Sequence, residues 1–255
     1  VSLQRGQSSP TSGAGNHVAA VDSTRDRWPV KPYYEHNGIV IFNCDCREIL
    51  PTLGPVDLVL TDPPYGVNAN TRTASTGRHN GGSFGLSGSR DYPPVFGDDS
   101  HFDPAHLIGS GKCILWGANH YGALPAASKW LVWDKRCGGT PDDNADCELA
   151  WTNLRGPARI HRQVWRGFFR EGAENAAKCG AKLHPTQKPI ALMKWCIGLA
   201  GAVQSVIDPY MGSGTTLEAA KALGLQAIGI EIEEAYAEIA AKRLSQEVLD
   251  FGGCE

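Results

Sequence analysis

The amino-acid sequence predicts an α/β fold built on a mostly parallel sheet with helices on both faces. Short apolar runs that suit buried strands alternate along the chain with helical segments, which is the pattern of strand–helix–strand units. Two of these runs end in an acid followed by a turn, at Asp62-Pro63 and at Asp208-Pro209. Ligands of open α/β sheets bind beyond the carboxyl ends of the strands, so both acids are expected at a ligand-binding edge.

The predicted elements follow one another from residue 39 onward. Strands are expected at 39–42, 56–60, 113–116, 129–133, 147–151, 204–207 and 227–230, and helices at 45–50, 103–109, 186–199, 215–223 and 233–249. The strands at 129–133 and 147–151 are expected to pair antiparallel. Residues 1–30 are polar and lack an apolar period, so a disordered arm is expected before one domain at 31–255.

The composition limits the classes of protein that fit the chain. With 255 residues, a formal charge of −3 and a pI near 6.3, it suits one large domain on which any basic surface must be local. Eight cysteines without CxxC spacing favour reduced thiols over a metal site or disulfides. No apolar run approaches the roughly 20 residues of a membrane span, and no signal peptide is recognised. A cytoplasmic protein with no metal and no membrane contact is expected.

Glycines and an acid near the later strands suggest a cofactor that carries a ribose and a charge. Gly212 and Gly214 lie between a strand and a helix start, where glycine permits a tight turn and helix N–H groups face an anion. Glu231 ends the next strand, a position from which an acid can hold ribose hydroxyls. NAD and S-adenosylmethionine both satisfy this pattern.

The segment Asp62-Pro63-Pro64-Tyr65 suggests recognition of an amino group on a flat ring. Its prolines fix the backbone and remove two N–H donors, while an ionised Asp62 and the Pro63 carbonyl are acceptors for the two hydrogens of an –NH2 group. Tyr65 offers an aromatic face for stacking. A structural turn with a capping Asp is the alternative. Together with the glycine segment, these residues suggest group transfer to a nucleobase.

Four segments, in this order, resemble the motifs of S-adenosylmethionine-dependent DNA amino-methyltransferases. They are the Asp62 segment, 184–189 (HPTQKP), 208–216 (DPYMGSGTT) and 228–232 (IGIEI). The catalytic motif precedes the cofactor loop, as in the circularly permuted β class. The resemblance covers about residues 39–245 and implies a Rossmann-like methyltransferase fold with a seven-stranded sheet, S-adenosylmethionine as cofactor, double-stranded DNA as substrate, and a prokaryotic or phage origin.

The resemblance also implies roles for individual residues. The catalytic set would be Asp62, Pro63, Pro64 and Tyr65, and the cofactor-binding set Asp45, Cys46, Thr186, Lys188, Asp208, Gly212, Ser213, Gly214, Thr215 and Glu231. Glu231 would hold the ribose, Asp45 the amino group of the cofactor's adenine, and Thr186 and Lys188 its carboxylate. An aspartate that opens the catalytic motif usually accompanies adenine in this family. N6-adenine is therefore the expected target, with N4-cytosine as the alternative.

Two variable stretches, 66–100 and 155–183, are expected to face DNA. Seven basic residues and two acids give residues 155–182 a local charge of +5, which suits phosphate contact or, alternatively, a solvated charged edge. The predicted DNA contacts are Arg72, Arg78, Arg155, Arg159, Arg162 and Arg166. Because both stretches are short for a recognition domain, a homodimer is expected to complete the DNA surface. Whether a cognate endonuclease exists does not follow from the sequence.

Two other classes of protein remain as alternatives. An RNA, protein or small-molecule methyltransferase would normally carry Asn in place of Asp62 and have its cofactor loop first in the chain. An inactive nucleic-acid-binding module conflicts with the intact Asp62, Tyr65, Gly212 and Gly214.

Overall fold

The computed structural model describes residues 28–68, 95–109, 111–122, 124–127, 129–139, 145–166, 169–171 and 187–246, which build a central sheet. In chain order the strands are β1 Tyr34–His36, β2 Ile39–Asn43, β3 Leu58–Thr61, β4 Lys112–Trp116, β5 Lys129–Asp134, β6 Cys147–Thr152, β7 Arg159–Arg162, β8 Trp165–Arg166, β9 Phe169–Arg170, β10 Ser205–Asp208 and β11 Gln226–Glu231. The strands β8 and β9 pair only with each other, and the other nine form the sheet.

The sheet has the order β1-β2-β11-β10-β3-β4-β6-β5-β7. Five of its eight neighbouring pairs are parallel, and the three antiparallel pairs are β1 with β2, β4 with β6, and β5 with β6. A mostly parallel Rossmann-like sheet is therefore confirmed. The predicted antiparallel pairing of the strands near 129–133 and 147–151 is confirmed as well.

The described sheet has nine strands where seven were predicted, and the two additional strands lie at its edges. Asn37 and Gly38, with φ of 47° and 78°, turn β1 back onto β2, and Asn-Gly is a preferred pair in such tight hairpins. At the other edge, β7 pairs parallel to β5. Both strands are short and expose most of their side chains, so they lack the apolar run that predicted the seven inner strands.

Four α-helices lie in the described part of the chain, namely α1 Cys46–Ile49, α2 Ile190–Leu199, α3 Thr215–Ala222 and α4 Glu234–Ser245. Helix α2 begins later than predicted because Pro189 at its N-cap is extended, with ψ of 141°. The helix predicted at 103–109 is a short 3-10 helix, Pro104–Leu107. Helix α4 ends at Ser245, and the last three predicted positions, 247–249, lie outside the described residues.

Apolar side chains cover both faces of the sheet. On one face, α2, α3 and α4 contribute to a core that includes Leu58 and Leu60 of β3. On the other, Ile49 of α1 packs with Phe42. Burial of one large apolar side chain stabilises a fold by about 1.5–3 kcal/mol, so these clusters stabilise the sheet whose strand ends carry the site residues. The ring of Trp28 also packs on Phe42 at 5.5 Å, which places the end of the predicted arm against the core; residues 1–27 lie outside the described residues.

Parallel pairing brings the carboxyl ends of β2, β11, β10 and β3 to the same edge of the sheet. Asp62 and Asp208 are neighbours there although β3 and β10 are distant in the chain, because Val206 pairs with Leu58 and Ile207 with Val59. The catalytic segment after β3 thus lies beside the cofactor turn after β10 although it comes first in the chain, as expected for the permuted order of the motifs. Among the described residues, no helix is long and apolar enough to cross a membrane.

Candidate active site

A cavity of about 1130 Å³ lies at the edge where these four strands end. Its lining contains most of the predicted site residues, namely Asp45, Cys46, Asp62, Pro63, Pro64, Tyr65, Lys188, Asp208, Gly212, Ser213, Thr215 and Glu231. Gly214 is not part of this lining, and Thr186 lies outside the described residues. The catalytic and cofactor segments, remote in sequence, thus share one cavity.

The turn between β10 and α3 is built on two glycines in the left-handed region. Gly212 has φ of 51°, and Gly214, the N-cap of α3, has φ of 82°. A Cβ added to Gly214 would lie 2.8 Å from Cβ of Ala240, so this glycine also allows α4 to approach. The turn is therefore fixed by packing as well as by backbone conformation.

Asp208 lies under this turn and is 3% exposed. Thr61 Oγ1 donates to its Oδ1 at 2.6 Å, and the backbone N–H of Tyr210 donates to the same oxygen at 3.1 Å. Burial raises the pKa of Asp208 to about 6. The carboxylate thereby ties the end of β3 to the cofactor turn.

Glu231 ends β11 beside the glycine turn. The backbone N–H of Gly212 donates to its Oε2 at 2.9 Å, and that of Glu233 donates to its Oε1 at 2.9 Å. Burial raises the pKa of Glu231 to about 7. Each carboxylate oxygen has two lone pairs, so both retain capacity for a further donor such as a ribose hydroxyl.

Asp45 and Cys46 lie just past the end of β2. Asp45 is the N-cap of α1 and accepts the backbone N–H of Arg47 at 2.9 Å. Hydrogen bonding to the Arg47 side chain, at 2.5 Å between Nη2 and Oδ2, lowers the pKa of Asp45. An adenine amino group bound here would have to share the carboxylate with Arg47.

Asp62 and Tyr65 form the centre of the candidate catalytic segment. The Tyr65 hydroxyl donates to Asp62 Oδ1 at 2.5 Å. The Tyr65 ring stacks on His120 with centroids 5.0 Å apart and an interplanar angle of 13°. A Cβ at Gly117, which has φ of 76°, would lie 1.9 Å from Cε1 of Tyr65, so only glycine leaves room for the ring. The turn at 117–120 therefore positions Tyr65.

Asp98 is a site residue that the sequence did not reveal. Its Oδ1 accepts the backbone N–H groups of Tyr65 and Gly66, each at 2.9 Å. A Cβ at Gly66 would lie 2.4 Å from the backbone oxygen of Ser100, so the two segments are in close contact. Asp98 thus fixes the backbone that follows Pro64. An acid in a turn-rich stretch gives no sequence signal for this function.

Lys188 does not project freely toward the glycine turn. Its side chain is 5% exposed, and its Nζ contacts Asp62 Oδ2 directly and lies 3.0 Å from Glu148 Oε2. Glu148 of β6 also accepts from Lys135 Nζ at 2.9 Å. The expected contact of Lys188 with a cofactor carboxylate is not supported by this geometry, because two carboxylates already hold the ammonium group.

Glu148 was not predicted as a site residue, although an acid inside an otherwise apolar strand is a usable signal. Burial by itself would raise its pKa, but the two neighbouring lysines outweigh that effect and lower the pKa of Glu148 to about 2. Burial raises the pKa of Asp62, with Lys188 opposing this. The cluster therefore holds charged groups although its side chains are largely buried.

The predicted DNA contacts are only partly described. Arg155, Arg159 and Arg162 are exposed, and Arg162 lies 3.6 Å from Asp134. The backbone of Arg166 lies in β8, whereas Arg72 and Arg78 fall outside the described residues. The described basic residues are on or next to the edge strand β7, so an accessible basic edge does exist.

The fold and the cavity define a class of protein. A Rossmann-like sheet in permuted order carries a glycine turn after one strand, an acid after the next, and an Asp-Pro-Pro-Tyr segment on the neighbouring strand. These are the features of an S-adenosylmethionine-dependent methyltransferase.

Comparisons with known proteins narrow this class. A family model described as DNA methylase matches residues 152–242. The chain is 27% identical to the type II methyltransferase M2.LlaDCHI of Lactococcus lactis subsp. cremoris, covering 85% of this chain and 93% of the relative. It is 28% identical to the type II methyltransferase M.HinfI of Haemophilus influenzae, covering 81% and 68% respectively.

A solved structure shares the fold. The PvuII DNA methyltransferase (cytosine-N4-specific) superposes with a TM-score of 0.53 and 16% identity, over 87% of this chain and 92% of that one. In its motifs, fold and family match, the chain is similar to S-adenosylmethionine-dependent DNA methyltransferases.

Proposed function

We propose that this protein transfers a methyl group from S-adenosylmethionine to the N6 amino group of an adenine in double-stranded DNA. The observation that carries the proposal is that Asp62 and Tyr65 share one cavity with the Gly212 turn and Glu231. An acceptor for an amino group and a stacking ring thus lie within reach of a cofactor site.

The residues at the ends of β10 and β11 fit the cofactor. Glu231 is held by two backbone N–H groups and keeps lone pairs for the ribose hydroxyls, while Gly212 and Ser213 border the same space. Asp208 supports the turn from beneath. When bound, S-adenosylmethionine supplies an activated methyl group on a positively charged sulfur.

The Asp62 segment would prepare the amino nitrogen for transfer. The lone pair of that nitrogen is delocalised into the adenine ring, which makes it a poor nucleophile. Hydrogen bonds from the amino group to Asp62 and to the Pro63 carbonyl favour a pyramidal nitrogen with an available lone pair. Fixed alignment of that nitrogen with the methyl carbon then contributes much of the acceleration.

Tyr65 would hold the base outside the duplex. An enzyme that acts on a paired base must extrude it, at a cost of a few kcal/mol, and stack it in its site. The Tyr65 ring is prepositioned by His120, by Asp62 and by the Asp98 contact to its backbone. It therefore presents a stacking surface without further ordering.

The basic edge around β7 would contact the DNA backbone. Arg155, Arg159 and Arg162 are exposed on a chain whose overall charge is negative, so their field is local. Phosphate contacts of this kind position the duplex without reading its sequence.

The choice of adenine rests on Asp62, because an aspartate at this position usually accompanies adenine in the family that the sequence resembles. N4-cytosine is the second candidate, since its amino group has the same hydrogen-bonding geometry. The two products differ in mass after DNA digestion, so one assay separates them.

The decisive experiment compares the parent protein with Asp62→Ala. Both are incubated with duplex DNA and labelled S-adenosylmethionine, and the digested nucleosides are analysed by mass spectrometry. The parent should yield N6-methyladenine, and Asp62→Ala should lose about 100-fold or more in kcat while its cofactor affinity is kept. Glu238→Ala, which changes an exposed acid of α4, is the matched control and should retain full activity.

Three outcomes would contradict the proposal. Methylation by Asp62→Ala at the parental rate would refute the role of the carboxylate. N4-methylcytosine as the sole product would refute the target base. Labelling of RNA or protein but not of DNA would refute the substrate.

We further propose that the protein binds DNA as a homodimer, because its basic edge is short for a complete recognition surface. Light scattering of the protein with and without duplex DNA tests this, and a 1:1 complex of monomer and duplex would contradict it.

A further inference from the structure

We propose that Lys188 and Glu148 are positioning residues for methyl transfer: Lys188 keeps the Asp62 carboxylate ionised and fixed in orientation, and Glu148 offsets the positive charge of Lys188. The inference rests on the proposed function, because it assigns a purpose to charged groups that lie behind the Asp62 side chain. Neither residue needs to touch the substrate.

The four charged groups form a chain of alternating sign. Asp62 contacts Lys188, Lys188 lies 3.0 Å from Glu148, and Glu148 accepts from Lys135 at 2.9 Å. The chain has two negative and two positive members, so its formal charge is zero. Asp62 follows β3, Lys188 precedes α2, Glu148 lies in β6 and Lys135 follows β5. Four separate elements therefore converge on this buried cluster.

The contacts fix the orientation of the Asp62 carboxylate. The Tyr65 hydroxyl donates to Oδ1, and Lys188 Nζ donates to Oδ2. The same ammonium group lies 3.2 Å from the Tyr65 hydroxyl oxygen, in addition to its contact with Glu148. An ammonium group has three donors, and three oxygen atoms surround this one. Lys188 thus donates hydrogen bonds to Asp62 and Tyr65 and forms an ion pair with Glu148.

Glu148 has a separate electrostatic purpose. Lys188 stabilises the ionised Asp62, but it also places a positive charge close to the nitrogen, which itself becomes positive during methyl transfer. The Glu148 carboxylate forms an ion pair with the same ammonium group and offsets the positive field of Lys188 at the amino nitrogen. The negative charge of Asp62 therefore remains effective at the nitrogen.

The pH dependence of turnover tests these two purposes separately. The groups that face Asp62 are Lys188, Glu148, Tyr65, and the more distant Asp208 and Tyr121. Burial raises the pKa of Asp62 and Lys188 opposes this, so turnover should fall as the pH drops through that pKa. Removal of Lys188 raises the pKa further, whereas removal of the Glu148 charge lowers it.

The experiment measures kcat from pH 5.5 to 9.5, at saturating cofactor and DNA, for the parent, Lys188→Met and Glu148→Gln. Lys188→Met should lose about tenfold or more at neutral pH and regain activity at high pH, with its acid limb shifted up by about one unit or more. Glu148→Gln should lose a similar factor at neutral and high pH, with its acid limb shifted down rather than up. Lys194→Met, on α2, is the matched control and should follow the parental profile.

Two further measurements guard against trivial explanations. Calorimetry should show cofactor affinity within about threefold of the parent for both variants, because their contacts are with the Asp62 cluster and not with the cofactor. Lys188→Arg keeps the positive charge and should retain the parental acid limb, which preserves the test if Lys188→Met does not fold.

Several results would overturn the inference. Equal and pH-independent losses in Lys188→Met and Glu148→Gln would indicate a purely structural role. A large loss of cofactor affinity with intact kcat at saturation would make Lys188 a cofactor ligand.

Carboxyl ¹³C NMR of Asp62 reads the cluster without turnover. The titration midpoint should rise in Lys188→Met and fall in Glu148→Gln. If the parent protein is active but the midpoints do not move in the variants, this inference is wrong and the proposed function stands. A parent protein that methylates no base would instead overturn the proposed function.

Discussion

Cofactor affinity should depend on pH through the ionisation of Glu231. Burial raises the pKa of this carboxyl to about 7, and ribose hydroxyls donate more strongly to the ionised form. Binding therefore favours ionised Glu231, and affinity should rise with pH and level off above pH 7. At pH 6 only about one-tenth of the free protein carries the ionised group, so Kd should be about tenfold weaker than at pH 8, or about 1.4 kcal/mol.

The same titration affects the stability of the free protein in the opposite direction. The pKa of Glu231 is higher in the folded chain than the ordinary value of 4.5. Its contribution to stability is thus fully present below pH 4.5 and is lost as the pH rises through about 7. Bound cofactor offsets this loss, so the thermal shift produced by the cofactor should increase between pH 6 and pH 8.

Glu231→Gln removes the titration. At pH 8 it should weaken cofactor binding by about 1–3 kcal/mol, because charge-assisted hydrogen bonds to the ribose are lost. It should also flatten the pH dependence of Kd, apart from a residual contribution from Asp208, whose pKa is about 6. Glu234→Gln changes an exposed acid nearby and is the matched control.

Isothermal titration calorimetry at pH 6, 7 and 8 measures both Kd and the protons released. In two buffers of different ionisation enthalpy, the parent should release about half a proton per cofactor at pH 7, because the free carboxyl is then half ionised. The amide N–H groups that the substitution introduces would face a backbone N–H of Gly212 or Glu233, which opposes the native contacts. Circular dichroism therefore checks that the variant is folded. Equal Kd values for the parent at pH 6 and 8, with no proton release, would refute the role of Glu231.

Two further predictions concern the base site and the DNA surface. Gly117 and Gly138 both have positive φ, at 76° and 85°, so Gly138→Ala should lose about 1–2 kcal/mol of stability from backbone strain and Gly117→Ala should lose more, because its Cβ also clashes with Tyr65. Only Gly117→Ala should also lose methyl transfer, because its Cβ meets Tyr65 whereas nothing lies within 4 Å at Gly138; equal activity of both variants would contradict this. Arg159→Ala with Arg162→Ala should reduce the slope of log Kd against log salt by about 2. An unchanged slope, equal to that of a Lys242→Ala control, would move DNA contact elsewhere.

The sequence predicted the inner sheet well because its strands are apolar and bounded by turns. All seven inner strands lie within a few residues of the predicted ranges, and Asp62, Asp208 and Glu231 share the cavity as expected. The edge strands β1 and β7 were not predicted because their exposed side chains leave no apolar pattern.

Contacts between remote side chains were beyond the reach of sequence patterns. Lys188 was expected at the cofactor because it lies in a cofactor-associated motif, yet its contacts are with Asp62 and Glu148. Asp98 binds the backbone after Pro64 across 33 positions of sequence. Such pairs depend on how elements pack in three dimensions, and no local periodicity encodes that packing.

The permuted strand order has a consequence for how the protein is made. The early strands β2 and β3 do not touch in the sheet, because β11 and β10 lie between them. At typical translation rates, the 144 positions from Thr61 to Ser205 take on the order of 10 s to synthesise. During that interval the two apolar strands have open edges and no native neighbour between them, which is the condition that exposes a nascent chain to aggregation. The active site can therefore be completed only after β10 and β11 have been synthesised, because these strands fill the gap between β2 and β3 and carry Asp208 and Glu231.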